Sequence, residues 1–150
     1  MKLVIQRVLG ASVEIDSKVY NSIGAGAMVL VGIEAADTDE DIEWLSSKLV
    51  KLRIFDDQDG VMNLDVVQSQ GEVMVVSQFT LQASTKKGNR PSYIKAAGEA
   101  VSRPLYNKFV EVVSQKLGRQ VATGEFGADM QISLVNNGPV TIVIDSKNRE

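Results

Sequence analysis

The 150-residue chain has no cysteine and no histidine. Without cysteine there is no disulfide, no thiolate nucleophile and no sulfur-ligated zinc site. Without histidine the usual general base near pH 7 and the commonest metal ligand are both missing. An enzyme of this composition does not run on a Ser-His-Asp or Cys-His arrangement. It is left with carboxylates, lysines, backbone dipoles and whatever groups its substrate brings. Neither a metal nor a cofactor is expected. Long apolar runs are also missing: none approaches the roughly 20 residues that span a bilayer. The opening "MKLVIQRV" alternates apolar and polar residues after one lysine, unlike a signal peptide, so a cytoplasmic location is expected.

Charge is uneven. The net charge is −3, which argues weakly against a nucleic-acid partner. Yet the stretch from Ser84 to Val110 holds Lys86, Lys87, Arg90, Lys95, Arg103 and Lys108 against Glu99 alone, so it carries +5 and the rest of the chain −8. A local basic face on an acidic protein suits contact with a few phosphates beside one site. It does not suit a long duplex, whose affinity comes from many phosphate contacts. A solvated loop and helix face would give the same pattern.

The chain length fits one domain, residues 1–150. Lys2 to Ile15 has a strand pattern in which Gly10 marks a bend or bulge. "KVYNSIG" and "AMVLVGIE" are two further strands. "ADTDEDIEWLSSKLVKLRIF" is a helix capped by Asp37 or Thr38, with Ile42, Leu45, Leu49 and Leu52 at helical spacing. "FDDQDGVMNLD" lacks calcium-loop spacing and is expected to be a solvated hairpin turn. "EVMVVSQFTLQA" is expected as a strand and "RPSYIKAAGEA" as a short helix opened by Pro91. Ser102 and Pro104 open a second helix that ends before Gly118. "RQVATGEFG" and "MQISLVNNGPVTIVID" are the last strands, the second interrupted at "NNGP". The sum is α+β, with a largely antiparallel sheet and helices packed on one side. Several strands are apolar on both faces, so the sheet is expected to curl toward a barrel or to be covered by a partner subunit.

Two segments have the composition of a site. In "SQFTLQA", Ser77 to Ala83, a strand leaves the core and ends in hydroxyls, followed at once by Lys86, Lys87 and Arg90. Backbone N–H groups freed at a strand end can bind a carbonyl or an oxyanion. The plainer reading is that Ser77 and Thr80 bond to their own backbone. In "NNGPVT", Asn136 to Thr141, proline requires an edge, a bulge or a turn. Only about 5–6% of X-Pro bonds are cis, so residue frequencies alone predict trans at Gly138–Pro139.

Together these segments, with "QRV" at Gln6 to Val8 and "GNRPSY" at Gly88 to Tyr93, resemble the D-aminoacyl-tRNA deacylase (D-tyrosyl-tRNA deacylase) family essentially from end to end. The resemblance implies a homodimer with active sites at the subunit interface and aminoacyl-tRNA as the partner. It assigns Gln78, Phe79 and Thr80 to catalysis, with Ser77 in the same wall of a pocket for the terminal adenosine and its aminoacyl group. It puts Gly138 and Pro139 in a cis dipeptide inserted into the partner's site, flanked by Asn136, Val140 and Thr141. Arg7 holds that dipeptide and Met130 lines the pocket. Lys86, Lys87 and Arg90 are expected to meet phosphates of the acceptor end.

On this resemblance the missing histidine makes sense. The bond to be cut is an activated ester on a ribose whose neighbouring hydroxyl can assist, so orientation and backbone polarisation can suffice. Thr80 is open to two roles, nucleophile or positioning residue; no base lies within sequence reach, which favours positioning. A dipeptide wall that excludes L side chains would accept glycine as well. The rivals are a non-catalytic nucleic-acid module using the basic face, and a Ser/Thr esterase acting on small esters.

Overall fold

The computed structural model describes residues 1–149. Its longest-paired strand is β1 (Lys2–Ile15). Along one edge of β1 run β2 (Lys18–Ile23) and then β3 (Gly26–Gly32), in a register that sets Ala11 opposite Ile23 and Val8 opposite Gly26 and shifts by one residue between Val13 and Glu14. The other edge carries β8 (Gln131–Asp145), from Lys2 opposite Asp145 to Glu14 opposite Gln131. From β3 the sheet continues to β6 (Glu72–Ser77) and the two-residue β7 (Ala122–Thr123). Asn21 of β2 donates its side-chain N–H to the Thr123 carbonyl of β7 at 3.1 Å, so the sheet ends meet and the barrel is nearly closed.

Every partner of β1 is antiparallel, but β3–β6 and β6–β7 are parallel. The sheet is thus largely antiparallel, as expected, with two parallel pairings that were not. The cause is a crossover: the chain leaves β3, passes through α1 (Asp39–Lys51) and a hairpin of β4 (Phe55–Asp56) and β5 (Met62–Leu64), and re-enters in the same direction. That hairpin is the polar "FDDQDG" turn. The Asp57 carboxylate accepts N–H bonds from Asp59 and Val61 and one from the Asn63 side chain, so it is used up inside the turn.

β3 and β6 are apolar on both faces because both faces are covered. Val29 and Val31, with Val73 and Val75, face a core completed by Ile42, Leu45 and Leu49 of α1 and by Phe109 and Val113 of α2 (Glu99–Leu117). Met28, Met74 and Val76 face a second core inside the curl, with Val8, Val13 and Ile23. Both helices thus pack on one side, as the sequence implied.

Two helix boundaries differ from expectation. No helix starts at Pro91. The backbone there is already taken: Ser84 and Ser92 exchange N–H···O bonds at 2.8 and 2.9 Å, and Ala97 N–H donates to the Ile33 carbonyl at 3.0 Å. Helix α2 instead begins at Glu99 after Gly98, whose carbonyl accepts from Val101 N–H, Ser102 N–H and Ser102 Oγ. Pro104 lies inside it, near enough the start to remove only one helical N–H bond. Gly118 ends it with φ +76°, the left-handed conformation glycine adopts freely.

The start of α1 joins both ends of the chain. Thr38 caps it, with its N–H and hydroxyl on Asp41 Oδ2 at 2.8 and 3.2 Å, and Lys147 reaches the same oxygen at 2.8 Å. The α-ammonium of Met1 pairs with the buried Asp37 carboxylate and with Ser146 Oγ. Burial pushes the Asp41 carboxyl upward, but hydrogen bonds from Lys147, Ser146 and the Thr38 backbone outweigh it and hold it well below the usual carboxylate range. A depressed carboxylate pKa stabilises the fold above its unfolded value and ceases to as pH falls through the interval between the two values. Stability is therefore expected to decline as pH drops from about 5. Asp41→Asn should be less stable at pH 7 by about 1–2 kcal/mol, the scale of a lost helix cap, and should show a flatter acid limb. Urea titrations at a series of pH values measure this; parallel curves for the two proteins would contradict it.

Candidate active site

β6 ends at Ser77, opposite Val31 of β3. The strand expected through Ala83 stops there, and Phe79–Gln82 turn into a short 3-10 turn. The reason is packing against Gly32. A Cβ on Gly32 would lie 2.7 Å from Leu81 Cβ and 3.0 Å from the Gln78 carbonyl, so only glycine lets the turn sit this close to β3. Gln78 N–H still bonds to the Val31 carbonyl at 2.8 Å, and the buried Gln82 donates its side-chain N–H to the Gly32 carbonyl at 3.1 Å. Two bonds and a close approach hold the turn as a rigid wall.

That wall borders a cavity of about 300 Å³. Ser77, Gln78 and Phe79 line one side; Phe126 to Met130 line another, with Ala97 and Ser102 between them. The Met130 sulfur packs where Gly124 lacks a side chain, at 2.5 Å from the position a Cβ would take. Phe79 is largely exposed at the mouth, and Tyr93 meets it edge-on at 5.1 Å between ring centroids. Thr80 does not line the cavity. Its hydroxyl accepts a hydrogen bond from the Gln78 side chain at 2.7 Å. Among the described residues no carboxylate or lysine is bonded to that hydroxyl.

The second group of expected site residues stands elsewhere. Residues 137–140 bulge out of β8, because the register with β1 jumps between Gln6–Thr141 and Val8–Asn136. Asn136 closes the bulge: its Oδ1 accepts from Val140 N–H at 3.1 Å and its amide donates to the Val140 carbonyl at 3.2 Å and to Thr141 Oγ1 at 3.3 Å. Buried Arg7 braces it from below, with Nε on the Asn137 carbonyl at 3.1 Å and Nη1 on the Ile54 carbonyl at 2.8 Å and Asp56 at 3.0 Å. The Gly138–Pro139 bond is cis, where residue frequencies alone predicted trans. Both residues are exposed at the tip. Gly138 has φ +125°, and a Cβ there would meet Val140 at 2.8 Å and Arg7 Nη2 at 3.1 Å. A side chain does not fit.

Arg7 stands opposite Ala27, whereas Ser77 stands opposite Val31. The tip and the cavity wall are thus offset by four residues along β3, on the order of 13 Å. Neither Arg7 nor any residue from Asn136 to Thr141 lines the cavity. One chain brings Ser77, Gln78, Phe79 and Met130 together and holds Arg7, Asn136, Gly138, Pro139, Val140 and Thr141 apart from them. Lys86, Lys87 and Arg90 are exposed on the loop clipped by the Ser84–Ser92 pairing, with no ion pair among the described residues.

A family model for D-Tyr-tRNA(Tyr) deacylase matches residues 4–145. Over all 150 residues and the full length of each relative, the chain is 61% identical to a protein of Flavobacterium psychrophilum and 60% identical to one of Parabacteroides distasonis. Both are called D-aminoacyl-tRNA deacylase. The chain belongs to the D-Tyr-tRNA(Tyr) deacylase family. It is accordingly an enzyme, a hydrolase of the deacylase class. Among solved structures, the c-Myc DNA Unwinding Element Binding Protein superimposes with a TM-score of 0.93 at 38% identity, covering 97% of this chain and 98% of that one. A protein described as a probable eukaryotic D-amino acid tRNA deacylase superimposes with a TM-score of 0.83 over 95% of this chain and 97% of its own, and at 17% identity that likeness concerns the fold.

The candidate site is also built from residues with no site-like signal in the sequence. Gln82 lies inside the quoted motif, but burial of its amide could not be read from its neighbours. Gly32 and Phe126 carry no local signal, since their roles arise only when the turn packs on β3 and the 124–130 segment folds over the cavity. Gly32→Ala should displace the wall and reduce hydrolytic activity by about 10²-fold, the usual scale for misplacing a reacting group by about 1 Å. Steady-state kinetics on folded protein checks this; an unchanged kcat would contradict the bracing role of Gly32.

Proposed function

We propose that the protein hydrolyses the ester of D-aminoacyl-tRNA, releasing D-amino acid and free tRNA, and that its working form is a homodimer. In this reading Gly138 and Pro139 of one copy close the cavity of the other. The observation that carries it is the separation within one chain of two rigid groups that each face outward. The surface beside the bulge supports the same reading. Leu9, Val135 and Val143 expose more than half of their area there, and a shallow groove along Gly10–Ser12 and Ser133–Val135 continues from it. A second copy would bury this apolar strip.

The chemistry follows from what the wall offers. A helical turn leaves its first N–H groups without internal partners. Here these are the N–H groups of Phe79 and Thr80, suited to polarise an ester carbonyl and to stabilise the oxyanion formed when water attacks. The terminal adenosine occupies the 300 Å³ cavity between Phe126, Met130 and Phe79. Gln78 and the Thr80 hydroxyl, fixed on each other at 2.7 Å, position the ester. With no base in the wall, the ribose hydroxyl beside the ester relays the proton. Lys86, Lys87 and Arg90 meet phosphates further along the acceptor end. Such a reaction belongs in the cytoplasm, and no helix among the described residues is long and apolar enough to cross a membrane.

Selection is by exclusion. The carbonyls of the Gly138–Pro139 tip face the α-amino group of the substrate, and the tip leaves no room for an L side chain. Glycine has nothing to exclude, so glycyl-tRNA, including glycine mischarged on tRNA for alanine, is a substrate as well. The test is hydrolysis of matched D-, L- and glycyl-tRNAs by the wild type and by Gly138→Ala. The wild type should cut the D and glycyl esters and spare the L ester. Gly138→Ala should lose at least about tenfold on the D ester, consistent with the cost of crowding a packed site, and should gain nothing on the L ester. Efficient hydrolysis of the L ester, or rejection of glycyl-tRNA, would overturn exclusion.

A further inference from the structure

On the far side of Phe126 from the adenosine cavity lies a second cleft of about 420 Å³, between α2 and the seam where β2 meets β7. Phe126 lines both hollows, so its ring is the ridge between them. Tyr106 supports that ridge, with ring centroids 5.6 Å apart. The Tyr106 hydroxyl is spent on the Val75 carbonyl at 2.8 Å, and burial pushes its pKa upward, so it is a fixed neutral floor.

Over the ridge lies Arg103, with its guanidinium carbon 4.8 Å from the Phe126 centroid. One edge of the guanidinium is held by Glu99, through Nε at 3.0 Å and Nη2 at 2.5 Å. A guanidinium carries five N–H groups in a fixed fork, so this pairing orients Arg103 and leaves Nη1 free to donate. Its side chain is about half exposed. The other cations near the cavity mouth, Lys86, Lys87 and Arg90, belong to the loop leading to Tyr93, on the Phe79 rim. Arg103 is thus the cation on the ridge.

We propose that Arg103 and this cleft form a second nucleotide subsite, which takes the last phosphodiester and the penultimate base of a single-stranded RNA end. The inference rests on the reading that the first cavity holds the terminal adenosine. A nucleotide leaving that cavity past Phe126 brings its 5′ phosphate to the open Nη1 edge of Arg103, where a guanidinium donates to phosphate oxygens. The next base then enters the cleft. Half-exposed Tyr20 offers it a face for stacking. The side-chain amides of Asn107 and Gln120, which have no hydrogen bond among the described residues, can meet the donors and acceptors on its edge. Glu125 also lines the cleft, and its carboxylate favours the amino-bearing edge of a base such as cytosine over a second phosphate.

Binding of unacylated ligands tests the subsite without turnover. Adenosine and the dinucleotide cytidylyl-(3′→5′)-adenosine are titrated into the wild type and into Arg103→Ala, with binding followed by NMR shifts or calorimetry. The dinucleotide should bind the wild type at least about tenfold more tightly than adenosine, the order expected for one stacked base and one charge-assisted contact. Arg103→Ala should lose that gain and keep adenosine affinity within about twofold. Asn107→Ala combined with Gln120→Ala should weaken the dinucleotide alone. Equal affinity of the wild type for the two ligands would overturn the proposal. So would an equal loss of both in Arg103→Ala, which would mean that Arg103 only props the Phe126 ring. Hydrolysis of D-aminoacyl-adenosine is measured alongside: its absence with the binding pattern intact contradicts the deacylase reading and leaves the subsite standing.

Discussion

The pairing of strand β3 with β1 and β6 sets where the Gly138 bulge and the 3-10 turn stand relative to each other. The strand pairs antiparallel with β1 and parallel with β6, and both of its faces are buried, one under the helices and one inside the curl of the sheet. A strand buried on both faces cannot slip by one residue without moving its whole apolar set to the wrong core. Its register is therefore rigid. That register puts Arg7 and the Gly138 bulge near one end of β3 and Ser77 with the 3-10 turn at the other. Close packing reinforces both ends: Gly26 lies so near the Glu72 backbone that a Cβ would overlap it at 1.8 Å, and Gly32 does the same for the turn.

From this rigidity follows a site with little chemistry of its own. The wall has a hydroxyl and an amide bonded to each other, backbone N–H groups at the open start of a short turn, and no histidine. Groups of this kind contribute by being already in place, which is where electrostatic stabilisation of an oxyanion is most effective. The activated ester and the hydroxyl next to it supply the rest in the proposed reaction. Arg7 has the same character. Its bond to the Asn137 carbonyl braces the bulge, and its bonds to the Ile54 carbonyl and Asp56 fix the guanidinium that does so.

Much of this was legible in the residues. Alternation and helical spacing located β1, β2, β3 and α1, and of the two expectations raised by the doubly apolar strands, a curled sheet or a covering subunit, the curled sheet is the one seen. The motifs around Ser77 and Asn136 pointed to the family that the relatives bear out. What could not be read depends on partners distant in the chain. The parallel pairing of β6 arises from the α1 crossover. The turn at Phe79 arises from the missing side chain at Gly32, 47 positions earlier. Segment 91–97 is kept out of a helix by bonds to Ile33 and Ser84. The cis bond at Gly138 opposes residue frequencies and was implied by the family resemblance alone.

The central claim is that each active site combines the wall of one copy with the tip of another. Subunit mixing tests it directly. Gln78→Ala damages the wall, Gly138→Ala damages the tip, and each variant alone has two impaired sites per dimer. If the tip acts in the partner, a mixed dimer contains one site with an intact wall and an intact tip. Unfolding and refolding the two variants together should then restore activity to about a quarter of the wild-type level, the share expected from random pairing of two-fold dimers. Mixed dimers that form but regain no activity would contradict the claim, because the tip would then serve the wall of its own chain.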